Sequence, residues 1–253
     1  MKRIKLEIAY DGTSYYGWQV QPGRITVEGV IIKALTELLQ EDIALIGASR
    51  TDSGVHALGN VAVFDTDSRI PTEKICYALN QRLPWDIRVQ TSVEVPGDFH
   101  PRRVRSKKTY EYIILNKSIS IPTQRLYTYF VYSDLDLASM DRAAQYLVGE
   151  HDFKSFCSIK TQASDTIRRI YSLKVDKDDY NIKIRVTGSG FLYNMVRIIV
   201  GTLLEVGKGA KDPEDMDKIL KGLDRGLAGP TAPALGLTLI NIEYDMNTYK
   251  AGE

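Results

Sequence analysis

The chain has 253 residues, of which 43% are hydrophobic and 26% charged, with a formal net charge of +1. That length and balance suit one large or two small globular domains, and they exclude a short disulfide scaffold, a fibrous repeat or a disordered chain. No apolar run reaches the roughly 18 residues of a membrane-crossing helix, and Lys5, Glu7 and Asp11 interrupt any signal-peptide core, so a cytoplasmic protein is expected.

Ile4, Leu6, Ile8 and Tyr10 alternate with Lys5, Glu7 and Ala9, which predicts a half-buried strand ending near Gly12. Beyond the Gln21-Pro22-Gly23 turn, Val27, Val30, Ile31, Ala34, Leu35 and Leu38 recur at helical spacing, with Thr26 placed as N-cap. Short strands are predicted around 44–46 and 60–64. A helix follows from Pro71, taken as its first residue, to about Gln81, then a strand through Ile87, Val89 and Val93. The second half opens on a strand bearing Tyr110, Tyr112 and Ile114, followed by an aromatic β-prone run at 126–132 and a helix over 137–148. Strands are predicted at 167–175 and 182–186, and a nearly all-apolar helix at 191–206. Asp212-Pro213 caps a further helix, with Asp215 completing a capping box, and a strand over 237–244 closes the chain.

Each half approximates strand, helix, two strands, helix, strand. The expectation is an α+β fold of two ferredoxin-like (split βαβ) halves, with antiparallel sheets covered by helices on one face. Pro, Gly and charge cluster at 96–105, which sets the expected domains at 1–104 and 105–253.

Cys76 and Cys157 have no close partner in sequence, and His56, His100 and His151 lie far apart, so neither a disulfide framework nor a metal site is expected. Arg102, Arg103, Arg105, Lys107 and Lys108 lie between His100 and Thr109 with no acidic residue among them. Such a run can neutralise phosphates, and it can equally be a solvated strand edge. The stretch from Gly47 to Ala57 is the most site-like. It packs small, turn-forming and ionisable residues between two predicted strands, and Asp52 could serve as nucleophile, base or anchor. Asp-Ser-Gly is also ordinary turn chemistry. Arg197 interrupts a helix apolar on almost every face, so it needs an anionic partner or must reach water. Tyr110 and Tyr112, beside the basic run, suit either stacking on unpaired bases or core packing.

Taken together, these residues resemble the tRNA pseudouridine synthase A family over nearly the full length of the chain. Arg50-Thr51-Asp52-Ser53-Gly54-Val55-His56-Ala57 is similar to the family's catalytic loop, whose aspartate falls on Asp52. Phe99-His100-Pro101-Arg102 with Lys108-Thr109-Tyr110-Glu111-Tyr112 resembles a second motif, whose active-site tyrosine falls on Tyr110. Gly190-Phe191-Leu192-Tyr193-Asn194-Met195-Val196-Arg197 resembles a third, which places the family's arginine on Arg197. The segments 151–156 and 231–237 resemble further landmarks. Ser49 stands where the family usually has Gly, and Pro101 replaces a commoner small residue.

The resemblance implies isomerisation of uridine to pseudouridine at positions 38, 39 and 40 of the tRNA anticodon stem-loop, without cofactor or metal. It also implies a homodimer, and one continuous, mostly antiparallel sheet with a basic RNA-binding cleft. On that basis Asp52 attacks C6 of the base or acts at C1′, with Arg197 as its opposite charge. Tyr110 stacks on the target base, and Arg50 fills the gap left by the displaced nucleotide or holds its displaced backbone. Arg102, Arg103, Arg105 and Lys108 grip phosphates. A non-catalytic RNA-binding protein on the same scaffold is the alternative, and a glycoside hydrolase would need a paired carboxylate with no counterpart in the sequence.

Overall fold

A computed structural model of the chain describes residues 1–159 and 165–245. The chain forms two compact units, Met1–Ser106 together with the residues from Leu239, and Lys107–Thr238. Leu239–Tyr244, which closes the second half in chain order, thus belongs with the first unit.

The first unit runs β1 (Lys2–Tyr10), α1 (Val27–Leu39), β2 (Ile46–Gly47), β3 (His56–Thr66), α2 (Thr72–Asn80) and β4 (Ile87–Val95). β1 lies between β3 and β4, antiparallel to both, and β2 pairs antiparallel with β3. That is the ferredoxin-like arrangement expected from the element order. The alternation along β1 places Ile4, Leu6 and Ile8 in the core with no exposed surface. α1 begins where the Thr26 hydroxyl accepts the Gly29 N–H at 3.3 Å, and it buries Val27, Ile31, Ala34 and Leu35 along one stripe. Three boundaries shift: the strand expected at 44–46 is Ile46–Gly47, the one expected at 60–64 runs from His56 to Thr66, and Pro71 is the N-cap of α2, not its first residue, its carbonyl accepting the Lys74 N–H at 2.9 Å.

The second unit is built from β5 (Ser106–Asn116), β6 (Tyr129–Val131), α3 (Leu137–Gln145), β7 (Gly149–Asp152), β8 (Ile167–Asp178), β9 (Asn181–Gly188), α4 (Met195–Gly207) and α5 (Asp215–Gly222). β10 (Leu237–Tyr244) follows. The order β5-β9-β8-β7 is antiparallel throughout, and β6 joins β5 in parallel. α3 packs on β8 and on α4. Asp136 caps α3 by accepting the Ser139 N–H at 3.1 Å.

α4 starts at Met195, four residues later than its apolar pattern predicts. Asn194 adopts φ 61°, a left-handed conformation that ends any helix extending back from Met195. Phe191 therefore leaves the helix, and its ring meets Tyr110 edge-on at 5.2 Å. At α5 half of the expected capping box forms, the Asp215 carboxylate accepting the Asp212 N–H at 3.0 Å. Among the described residues no helix is long and apolar enough to cross a membrane.

Arg3 forks onto Asp65, with Nε at 2.7 Å and Nη2 at 2.6 Å, and its Nη1 donates to the Phe99 carbonyl at 3.1 Å. One side chain thereby ties β1 to β3 and to the turn beyond β4. Hydrogen bonding from Arg3 holds the Asp65 carboxyl below its ordinary value. The resulting stability is fully present above the unfolded carboxyl's pKa of about 4 and is lost as pH falls through the lower folded value. Asp65→Asn is expected to flatten the acid limb: from about pH 5 downward its melting temperature, followed by circular dichroism, falls less steeply than that of the wild type.

Candidate active site

The loop between β2 and β3 carries Asp52, and it is held from both sides. Ser49 and Thr51 are buried, Asp52 is half-buried and Arg50 is exposed. Beneath the loop lies Asn60 of β3, with no exposed surface. Its Nδ2 donates to the Ser49 carbonyl at 3.0 Å and to the Tyr10 hydroxyl at 3.3 Å, and its Oδ1 accepts the Val61 N–H at 2.9 Å. The Tyr10 hydroxyl, at the end of β1, lies 2.7 Å from Thr51 Oγ1. Because it accepts from Asn60, its own proton is available to Thr51. Buried polar atoms are costly to leave unpaired, so this network fixes the chain before and after Arg50.

Past Asp52 the chain turns. The Val55 N–H donates to the Asp52 carbonyl at 3.1 Å, with Gly54 at φ 79°. The turn reading of Asp-Ser-Gly is therefore met. The segment Gly12–Trp18 clasps this turn. The Tyr15 carbonyl accepts the Gly54 N–H at 3.3 Å and the Ser53 hydroxyl at 3.2 Å, and the Trp18 N–H donates to the Thr51 carbonyl at 3.1 Å. Only glycine fits two of its positions. A Cβ on Gly12 would lie 2.0 Å from the Val55 carbonyl oxygen, and one on Gly17, at φ 80°, 2.7 Å from that of Thr51. Tyr15 is anchored by its hydroxyl, which donates to Asp86 at 2.7 Å; burial first, then Asp86, pushes that phenol well above its usual range. His56 Nδ1 lies 3.1 Å from the Gly12 nitrogen and 3.2 Å from Asp11 Oδ1, joining the ends of β1 and the loop.

The hydrophobic pattern marks Gly12 only as a strand end and does not single out Tyr15, Gly17 or Trp18. The available signal was two glycines bracketing adjacent tyrosines directly after a strand, in a stretch too short to fold independently.

In the second unit, α4 presents Arg197, half-buried. Its Nε donates to the Ala232 carbonyl at 2.7 Å and its Nη1 to Asn194 Oδ1 at 3.1 Å, and the Ala232 N–H returns to the Arg197 carbonyl at 3.1 Å. The segment 229–236 approaches α4 this closely because Gly201 has no side chain; a Cβ there would stand 1.7 Å from the Pro230 carbonyl oxygen. The same segment receives the Tyr112 hydroxyl, which donates to the Pro233 carbonyl at 2.8 Å. Tyr112 is fully buried, and desolvation raises its phenol far above its ordinary value, so this ring serves the core. Tyr110, 7% exposed, is the nearer of the two rings to solvent.

The basic turn is anchored through its backbone. The Arg103 and Val104 N–H groups donate to the His100 carbonyl at 3.0 and 3.2 Å, and Tyr244 donates its hydroxyl to the Pro101 carbonyl at 3.0 Å. Arg102, Arg103 and Arg105 are exposed, whereas Lys108 is half-buried on β5. Burial, then the charges of Arg103 and Arg102, holds the His100 imidazole below its usual value, and its Nδ1 accepts the Arg102 N–H at 3.2 Å. Lys107 lies over the Tyr171 ring, 5.2 Å from its centroid. Among the described residues no group of three or more His, Cys, Asp or Glu could hold a metal ion.

The chain matches the sequence model of a family described as tRNA pseudouridine synthase over residues 7–102 and 143–245. It is similar to proteins named tRNA pseudouridine synthase A from Ruminiclostridium cellulolyticum (49% identical over 245 residues), Brevibacillus brevis (48% over 244) and Caldicellulosiruptor bescii (47% over 244). Each match covers 96% of this chain and 100% of the relative.

The network under the loop gives a test that is independent of activity. Tyr10→Phe removes the hydroxyl shared by Thr51 and Asn60 and leaves buried polar atoms short of a partner, at an expected cost of about 1–3 kcal/mol. Denaturant unfolding measures it, and a change below about 0.5 kcal/mol would show that the hydroxyl is not what pins the loop.

Proposed function

The chain belongs to the tRNA pseudouridine synthase family, and from that premise we propose that it isomerises uridine to pseudouridine in the anticodon stem-loop of tRNA, at positions 38, 39 and 40. It works in the cytoplasm as a homodimer, without a cofactor. The observation that carries the reading is the Asp52 carboxylate, half-exposed on a loop whose neighbouring residues Ser49 and Thr51 are buried and hydrogen-bonded. Protein that merely coated RNA would have no use for a carboxylate so fixed.

The reaction breaks the N1–C1′ bond, turns the base and forms C5–C1′. The C5 proton leaves and N1 gains one, so no redox partner is required. Asp52 acts at C6 of the base or at C1′ of the sugar, and a loop pinned on both sides supplies the orientation that such an attack needs. Arg197 supplies a positive charge to the reacting nucleotide. Two of its nitrogens are already committed to Ala232 and Asn194, so the guanidinium is oriented before RNA arrives. Tyr110, held edge-on by Phe191, stacks on the target base. Arg50, exposed beside Asp52, occupies the space vacated when the uridine leaves its helical stack. Arg102, Arg103, Arg105 and Lys108 bind phosphates and contribute affinity rather than sequence choice.

Incubation of the purified chain with tRNA transcripts, followed by carbodiimide-adduct mapping, reads the product directly. Asp52→Ala is expected to abolish pseudouridine formation while tRNA binding stays within about threefold of wild type, because phosphate contacts dominate affinity. Full turnover by that variant would remove Asp52 from the reaction. Arg197→Met is expected to lose activity with the fold retained, at a cost of about 1–2 kcal/mol for the Ala232 carbonyl left without its donor. Normal turnover by Arg197→Met would contradict the role given to its charge.

A further inference from the structure

The loop running from Tyr16 to Ile25 plays no part in the reaction just described, yet it is built onto the Asp52 turn. Its base is closed by the Tyr16 N–H donating to the Ile25 carbonyl at 2.9 Å and the Val27 N–H donating to the Gly17 carbonyl at 3.2 Å. Inside it, Gln21 Nε2 donates to the Tyr16 carbonyl at 2.8 Å and the Arg24 N–H to the Gln21 carbonyl at 3.3 Å, with Gly23 at φ 68°. The Val20 N–H donates to Glu28 Oε2 at 3.0 Å, and the sequence from Thr13 to Val27 contains no acidic residue. Trp18 turns inward and is buried, while Tyr16, Val20, Arg24 and Ile25 are exposed.

Those side chains are an aromatic, a cation and two aliphatics. Tyr16 is 46% exposed, and the Arg24 guanidinium carbon lies 4.3 Å from its ring centroid. Val20 and Ile25 are more than half exposed. Both residues flanking Tyr16 along the chain touch the catalytic turn: the Tyr15 carbonyl takes the Gly54 N–H, and Gly17 lies against the Thr51 carbonyl. A guanidinium stacked on an exposed tyrosine offers a surface for a nucleobase and a charge for its phosphate.

We propose that this loop is an RNA-contacting finger, in which Tyr16 and Arg24 receive a nucleotide adjacent to the target uridine, its base stacked and its phosphate paired. The proposal rests on the reading that Asp52 acts on a displaced uridine. Extruding that uridine costs its stacking on both neighbours, and an aromatic surface beside the Asp52 turn returns part of that loss to one of them.

Filter retention of tRNA and single-turnover pseudouridine formation test it together. Tyr16→Ala is expected to weaken tRNA binding about fivefold to a hundredfold, the range for losing one base–aromatic stack, while Tyr16→Phe stays within about twofold of wild type. Arg24→Gln is expected to reduce the slope of log affinity against log salt by about one, the signature of one lost phosphate contact. Tyr16 is a surface residue, and thermal melts establish that each variant is folded. Binding by Tyr16→Ala and Arg24→Gln within about twofold of wild type, with an unchanged salt slope, would overturn the finger even if pseudouridine forms normally. A wild-type chain that binds tRNA but makes no pseudouridine would overturn the reaction, and the binding measurements still judge the finger.

Discussion

One buried asparagine sets the geometry on which the candidate site depends. Asn60 has no exposed surface and satisfies its side chain against the Ser49 carbonyl, the Tyr10 hydroxyl and the Val61 N–H. Two strands, β1 through Tyr10 and β3 through Asn60, therefore determine where the loop runs, and the loop does not find its own conformation. Asp52 inherits a position fixed by the sheet. This is the condition under which a carboxylate can be aimed at a single atom, because little conformational freedom remains to be lost on the way to the transition state.

The second constraint is steric. Backbone from Gly12 to Trp18 lies directly against backbone from Thr51 to Val55, at separations a single Cβ at Gly12 or Gly17 would forbid. The second unit repeats the device around Arg197, where Gly201 lets the segment 229–236 approach α4 and deliver the Ala232 carbonyl to the guanidinium. In both units a glycine away from the charged side chain decides what surrounds it.

Much of the fold is legible in the sequence because burial imposes a period. The alternation of β1 holds, the stripe of α1 holds at Val27, Ile31, Ala34 and Leu35 with Val30 and Leu38 only half-buried, and Thr26 caps as its chemistry requires. Where the reading slips, the cause is a local conformation without a period. Phe191-Leu192-Tyr193 is as apolar as the helix it precedes, and only the left-handed Asn194 separates them. β7 is four residues, largely polar, with no alternation to reveal it. Tyr110 and Tyr112 occupy the same face of one strand, and the sequence could not tell that Tyr112 belongs to Pro233 and the core. For Arg197 the expected alternatives were a carboxylate or water, whereas a backbone carbonyl and an amide take two of its nitrogens. The loop bearing Asp52 stands out in the sequence as a candidate because it combines turn chemistry with ionisable groups. The clasp over it was not, because apposition of two backbones leaves no trace in hydrophobic pattern.

On the function proposed above, this fixed carboxylate loop serves an isomerisation in which a base changes its bond to the sugar from N1 to C5. A tRNA transcript carrying tritium at C5 of its uridines measures that step directly. Incubated with the purified chain, it should release tritium to water in proportion to the pseudouridine formed, with no free uracil. Retention of tritium by RNA that is demonstrably bound, or the appearance of free uracil, would contradict the account.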